Sequence, residues 1–390
     1  MRITRIRCYH YNQAFTVPFD SLQTRRSHAD SIIVRIDCGS QASGFGESAP
    51  RRYVTGEDAP SVLKVINTIF APILLTQPFS NQNEAADLLT RCEAACRQRG
   101  LSAYLSALGA VDLALLDALR QSGNMQTERF CGPYLRDRLP FSASVPFLPM
   151  QLIQDYFPLL TAKLDIQVIK ILIDDNLERN LERVKMIREM AGQDKELRLE
   201  ANGKLTFKQV EHQLQHLQHF NIAAIEQPLP PGDTSGLHKL RHSFDMAMIA
   251  DESLVSIDDA RQLIARGGYD IFNLKVSKCG GLLRARAIAD LAAAHGIACH
   301  VGTHVGETEL LGVAGRCLAR TLLHFDAYGG GSPVLFSQLF NTAHPPLPAT
   351  PSGFSADETV SRPCIEKILQ ESRLDSDIDG EKPPWEAKMS

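Results

Sequence analysis

The sequence predicts an α/β protein: a parallel βα barrel preceded by a small α+β domain. Three observations carry this. From about residue 140, short apolar runs alternate with helical patterns and no long hairpin interrupts them. No GxGxxG or GxxxxGKS/T motif follows a predicted strand, so a nucleotide-binding doubly wound sheet has no support and the barrel is favoured. Five ionisable residues, Lys170, Glu200, Glu226, Asp251 and Lys275, close successive apolar runs at separations of 30, 26, 25 and 24 residues. All strands of a βα barrel end at one rim, where catalytic residues collect.

Residues 1–135 lack that rhythm. Residues 3–9 and 31–37 read as strands, the second with Ile33, Arg35 and Asp37 facing away from Ile32, Val34 and Ile36. The polar-aromatic stretch 11–30 between them reads as a loop, and 44–47 (Gly-Phe-Gly-Glu) as a turn. Residues 101–119 form a helical pattern through Leu105, Leu108, Val111, Leu115 and Leu119. Two strands followed by helices make an α+β domain. Barrel strands are expected at 141–147, 167–173, 197–201, 222–227, 246–251, 270–276, 297–302 and 322–326. Amphipathic helices follow at Leu177, Leu181, Val184, Ile187 and at Phe207, Val210, Leu214, Leu217. We therefore place the first domain at 1–135, the barrel at 136–330, a return to the first domain at 331–375 and a loose tail at 376–390.

Composition narrows the function classes. With 390 residues, 44% hydrophobic and 22% charged, the chain has material for about two domains. A net charge of −4 and a pI near 6.3 argue against nucleic acid or an anionic membrane as partner. Nine cysteines without a Cys-x-x-Cys pair suit a reducing cytosol better than a disulfide framework. Basic residues at the N-terminus are not followed by an apolar run, and no segment is long enough to span a bilayer. A cytoplasmic enzyme of a small molecule is the expectation, in a homo-oligomer.

The chemistry follows from the rim residues. Three carboxylates brought close together repel one another unless a divalent cation holds them, and oxygen-only ligation suits Mg²⁺. A lysine on either side would then move a proton. A single strand-end acid is usually a helix cap, and a single strand-end lysine usually snorkels to water. Three acids on consecutive strands between two lysines favour a site. Lys278 lies three residues past Lys275, and period-2 alternation puts it on the opposite face, which leaves Lys275 as the candidate.

These motifs resemble the enolase superfamily, in its muconate-lactonizing subgroup, which includes muconate cycloisomerases, o-succinylbenzoate synthases and dipeptide epimerases. The resemblance runs over almost the whole chain. It begins at Gly44-Phe45-Gly46-Glu47-Ser48-Ala49-Pro50 and Ala110-Val111-Asp112-Leu113-Ala114-Leu115-Leu116-Asp117. It continues through Leu199-Glu200-Ala201-Asn202, Ile225-Glu226-Gln227-Pro228, Ala250-Asp251-Glu252-Ser253 and Asn273-Leu274-Lys275-Val276-Ser277-Lys278-Cys279-Gly280-Gly281. It implies a modified TIM (βα)7-8 barrel under an α+β capping domain formed by the N-terminal region and a C-terminal segment. It implies Mg²⁺ on Glu200, Glu226 and Asp251, and Lys170 and Lys275 flanking the carbon beside a bound substrate carboxylate. The activity implied is proton abstraction α to a carboxylate. Two opposed lysines favour a racemase or epimerase of an amino-acid derivative or dipeptide; a cycloisomerase or dehydratase would use the same site, and a non-catalytic ligand-binding barrel is the alternative from another class.

The chain departs from the family pattern in several places. Val168 stands where the second strand usually carries another lysine, and Glu200 where the first ligand is usually aspartate. Glu307 lies near the place of a family glutamate after strand seven, either as a supporting group or as the first acid of the next helix. Only Asp326 remains of an Asp-x-Asp pair that holds a substrate ammonium. His300 and His304 read as packed histidines. The 11–30 loop and the 44–50 turn are expected over the barrel mouth, with Arg25 or Arg26 meeting a second anionic group. Asn202 completes the candidate substrate contacts.

Overall fold

The computed structural model describes residues 1–40, 42–123, 131–163, 166–329, 349–350, 353–354 and 362–380. The first domain contains strands β1 (Arg5–Tyr11), β2 (Ala14–Asp20), β3 (Arg25–His28), β4 (Ser31–Cys38) and β5 (Ala42–Ser48). An antiparallel sheet runs in the order Ser372–Asp379, β1, β4, β5. The stretch expected as a loop at 11–30 is largely an irregular hairpin, β2 against β3, inserted between β1 and β4. Its poor apolar alternation hides two strands whose apolar contacts lie elsewhere: Phe19 packs with Leu172 of the barrel, and Phe15 joins the cluster of Tyr11 and Ile33.

The residues expected to form a turn at 44–47 lie inside β5. They are glycine-rich because the helix Leu105–Gln121 lies directly on them. A Cβ on Gly44 or Gly46 would overlap the carbonyls of Ala114 and Ala110. Asp117 Oδ2 accepts from Phe45 N at 2.9 Å, which fixes the same contact with a polar group. Close approach, not chain reversal, is what the glycines serve.

Eight strands close a parallel barrel: β6 (Phe141–Val145), β7 (Ile166–Leu172), β8 (Glu196–Glu200), β9 (Ile222–Glu226), β10 (Ala247–Ala250), β11 (Ile271–Leu274), β12 (Ala298–Val301) and β13 (Phe325–Tyr328). Helices Leu177–Ala191 and Phe207–Leu217 sit at their expected places, each with an N-cap: Asn176 takes Arg179 N, and Thr206 with Gln209 forms a capping box. The last strand begins three residues later than the sequence suggests, because Leu322 belongs to the end of the preceding helix.

The strand Ser372–Asp379 pairs with β1 from Arg5↔Asp379 to Tyr11↔Ser372, with a register shift between Cys8 and Tyr9. The boundary drawn at 375 therefore falls inside a strand; its polar alternation suits a sheet edge, where one side of the backbone faces water. Residues 381–390, and most of 331–361, lie outside the described residues. All nine cysteines are free thiols. Among the described residues no helix is long and apolar enough to cross a membrane.

Candidate active site

The rim of the barrel brings all five ionisable residues together, each no more than 9% exposed. Parallel pairing sets their height: Lys170 is level with Arg198, and Glu200 with Glu226. Lys170 Nζ lies 2.5 Å from Glu200 Oε2 and 2.8 Å from Glu226 Oε2. The other Glu226 oxygen accepts from Asn273 Nδ2 at 2.7 Å. On the far side Lys275 Nζ is 2.6 Å from Asp251 Oδ2. In the strand order β7 and β11 are four places apart in a ring of eight, so the two lysines approach from opposite walls.

Lys278 is not turned away. The chain leaves β11 at Leu274 and enters a tight turn, so strand alternation no longer applies beyond that residue. Its fully buried ammonium donates to Asp251 Oδ1, to the Asp251 carbonyl and to the Asn273 carbonyl, each at 2.8 Å. Lys278 thus anchors Asp251 from behind and leaves Lys275 on the pocket side.

A fourth acid joins the cluster. One oxygen each of Glu200, Asp251 and Glu252 lie within 4.8 Å of one another. Glu252 Oε1 accepts from Gln23 Nε2 at 2.5 Å, while its Oε2 is buried without a partner among the described residues. Asn202, with φ of 49°, donates to Glu200 Oε1 at 2.8 Å. Gln23 comes from the β2–β3 turn, and nothing in its sequence context marks it.

Electrostatics shows the strain of this gathering. Burial, and then the charge of Glu226, push the Glu200 carboxyl up to about 8. Burial and Asp251 push Glu252 up to about 7. Burial acts the same way on Asp251, but Lys275 and Lys278 outweigh it and hold that carboxyl well below the usual range. Burial would lower Lys170, yet Glu200 and Glu226 outweigh it and raise the ammonium's pKa; Asp251 and Glu226 do the same for Lys275. Crowded carboxylates, an unsatisfied oxygen and an all-oxygen donor set fit a hard divalent cation.

The remaining candidates divide. Phe19, Ser21 and Gln23 of the hairpin and Tyr53 and Val54 of the helix Arg52–Thr55 line the pocket. Arg25 instead points to solvent 3.5 Å from Asp20, and Arg26 lies 3.8 Å from Asp30. The hairpin reaches the mouth with its turn, so residues of the returning strand fall behind it. Glu307 braces a turn: it accepts from His304 N at 2.7 Å, and burial and then Glu47 push its carboxyl up to about 8. Glu47 takes the N-terminus of the next helix, accepting from Thr308 N and Leu311 N. Asp326 lies on β13, below the rim residues, and both its oxygens are held by Arg198. Val168, in the lysine position, is buried two residues below Lys170 on the same strand.

His300 and His304 both line the pocket, although the sequence marks them only as packed residues. His300 lies within the otherwise apolar β12 and His304 just after it, and a polar ring at that strand end is the available signal. His300 Nδ1 lies 3.4 Å from Asp326 Oδ2, and burial lowers its pKa.

Two domain families match the chain. The "Mandelate racemase / muconate lactonizing enzyme, N-terminal domain" model matches residues 3–130, and the "Enolase C-terminal domain-like" model matches residues 160–328. A hydrophobic dipeptide epimerase of Enterococcus faecalis is 28% identical over 299 residues, which is 76% of this chain and 80% of that protein. The crystal structure of dipeptide epimerase from Enterococcus faecalis complexed with Mg and the dipeptide L-Leu-L-Tyr superposes with a TM-score of 0.76 at 26% identity, over 85% of this chain and 91% of that one. That of N-succinyl Arg/Lys racemase from Bacillus cereus gives 0.79 at 25% identity, over 86% and 89%. With both domain models matched in order and a closed eight-stranded barrel under an N-terminal α+β domain, the chain belongs to the enolase superfamily, in its muconate-lactonizing subgroup.

Proposed function

We propose that this protein is a Mg²⁺-dependent isomerase that removes and returns the proton α to a carboxylate, acting as a racemase or epimerase on an amino-acid derivative or dipeptide. The observation that carries the reading is the placement of Lys170 and Lys275 on opposite walls of the barrel with the acid cluster between them. The epimerase and racemase relatives, one with Mg and a dipeptide bound, support it.

Glu200, Glu226 and Asp251 would hold the ion. Proximity alone favours Glu252 as the third acid, because its oxygen lies nearer those of Glu200 and Asp251. Strand register favours Glu226: it pairs with both Glu200 and Ile249, so it projects between the other two ligands, and its Oε2 already shares a cation, the Lys170 ammonium, with Glu200. Glu252 lies past the end of β10, tied to Gln23 and Asn202. When bound, Mg²⁺ supplies positive charge against the substrate carboxylate and lowers the cost of the charge left by the departing proton.

The lysines do the rest. Each must be neutral to accept a proton, and a carboxylate pair now stabilises the Lys170 ammonium. Neutralising those carboxylates removes that hold, and burial then works in the direction a base requires. With one lysine neutral and the other charged, a proton leaves one face of the α-carbon and another arrives at the opposite face. The reversed protonation serves the other enantiomer. Phe19, Gln23 and Tyr53 line the pocket from the capping domain, where they would limit the entry of water.

The test is Mg²⁺-dependent exchange of α-hydrogen for deuterium in D₂O over N-acyl amino acids, dipeptides and hydroxy acids. Exchange with inversion supports the proposal, and no exchange from any of the three classes refutes it. A cytoplasmic homo-oligomer accompanies this reading, with light scattering of the purified protein as the check on assembly.

A further inference from the structure

His304 is among the pocket groups that the proposed isomerisation leaves unused. It follows β12, lines the pocket and is 4% exposed. Its Nδ1 is 3.0 Å from the Ala49 carbonyl, an oxygen that can only accept, so Nδ1 carries the hydrogen. The ring is neutral: burial, then Lys275 and Arg51, hold its pKa well below the usual histidine range. Nε2 is therefore a bare acceptor, and it is buried without a partner among the described residues. The turn that presents it is fixed, because Gly306 has φ of 89° and packs against Ala29 and Phe15 of the capping domain.

An unfilled buried acceptor is costly, so a donor belongs to the ligated pocket. We propose that His304 Nε2 accepts a hydrogen bond from an uncharged N–H beside the substrate's α-carbon, so that this residue selects α-carboxylates whose nitrogen is acylated. This rests on the isomerase reading and adds a specificity residue to it. The location argues for a neutral donor. Lys275 and Arg51 each weigh more on this ring than the opposing charge of Asp251, so an ammonium is disfavoured beside it. A substrate carboxylate at the acid cluster, with its α-carbon between Lys170 and Lys275, leaves an α-substituent to meet the β12 side of the pocket.

The experiment compares N-acetyl derivatives of leucine, glutamate and arginine with their ester isosteres, in which oxygen replaces the amide N–H. Binding to the Mg²⁺-loaded protein is measured by calorimetry and α-deuterium exchange in parallel. The expected result is a preference for at least one amide over its ester of about tenfold or more. His304→Met, similar in bulk and with only a weak thioether acceptor, should erase most of that preference. His304→Gln should restore part of it, because its amide can donate to Ala49 and still accept. Absence of any amide preference in the wild type, or an equal preference in His304→Met, overturns the proposal; so does a ¹⁵N spectrum with the His304 hydrogen on Nε2. Amide selectivity through His304 without exchange would sink the isomerase reading alone, and exchange that ignores His304 would sink the acceptor role alone.

Discussion

Arg198 grips both carboxylate oxygens of Asp326, at 2.6 and 2.8 Å, across the inside of the barrel from β8 to β13. The guanidinium is 3% exposed and takes Glu196 as a further partner. Asp326 is thus held in an ion pair, and it is not among the residues that line the pocket.

Breaking this pair should cost stability. Removing one partner of a buried ion pair typically costs about 3–5 kcal/mol, because the other charge is left desolvated. Asp326→Asn should lower the urea midpoint accordingly, whereas the double change Arg198→Met with Asp326→Leu should recover much of the loss. A variant of full stability and weakened ligand binding would return Asp326 to the substrate site.

The lysines should separate by enantiomer. Lys170→Ala should stop exchange of one enantiomer's α-proton and Lys275→Ala that of the other, each by ~10²–10⁴-fold, the usual worth of a general base. Circular dichroism would establish that both variants fold. A one-sided result, in which one lysine abolishes exchange and the other changes affinity only, would indicate elimination or cycloisomerisation.

The third metal ligand is open to a direct comparison. Thermal unfolding should shift upward with Mg²⁺ and fall back with chelator, as for any ligand that binds the native state alone. Glu200→Gln, Asp251→Asn and Glu226→Gln should each abolish that shift, while Glu252→Gln should retain most of it. The opposite ranking of Glu226 and Glu252 would make the nearer acid the ligand.

Asp112 gives a pH signature remote from the chemistry. It is fully buried in the helix Leu105–Gln121, accepts from Leu282 N at 2.6 Å, and burial pushes its carboxyl up to about 7. An acid raised on folding favours the native state below its unfolded value near 4 and loses that contribution as pH rises to 7. Asp112→Asn should therefore gain on the wild type by roughly 3 kcal/mol between pH 5 and pH 8. Parallel urea curves at the two pH values would show it, and a constant difference would count against a raised pKa at Asp112.

The barrel and its five rim residues were legible because strand ends recur at a fixed spacing and their chemistry is unusual there. What sequence could not supply was direction. Alternation fails where β11 becomes a turn, so it gives no hint that Lys278 holds the Asp251 carboxylate from behind. Arg25 and Arg26 carry the expected charge, but a hairpin presents only its turn, and Gln23 takes the site with no motif to announce it. Gly44 and Gly46 signal a tight backbone, and the choice between a bend and a helix lying on a strand depends on residues 60 or more positions away. Glu252 and His304 owe their significance to an unpaired atom, which only three-dimensional packing reveals.

The pairing of β1 with Ser372–Asp379 has a bearing on how the protein is made. Arg5 and Asp377, joined by a side-chain bond, are 372 positions apart. A ribosome must therefore synthesise all the residues between Tyr11 and Ser372 before β1 gains its outer neighbour. Until then the nascent sheet presents an open backbone edge, the kind of surface that recruits other chains. Shortened products that stop before residue 372 should be the ones chaperones retain and bodies of insoluble protein collect, even though every catalytic group has already been synthesised.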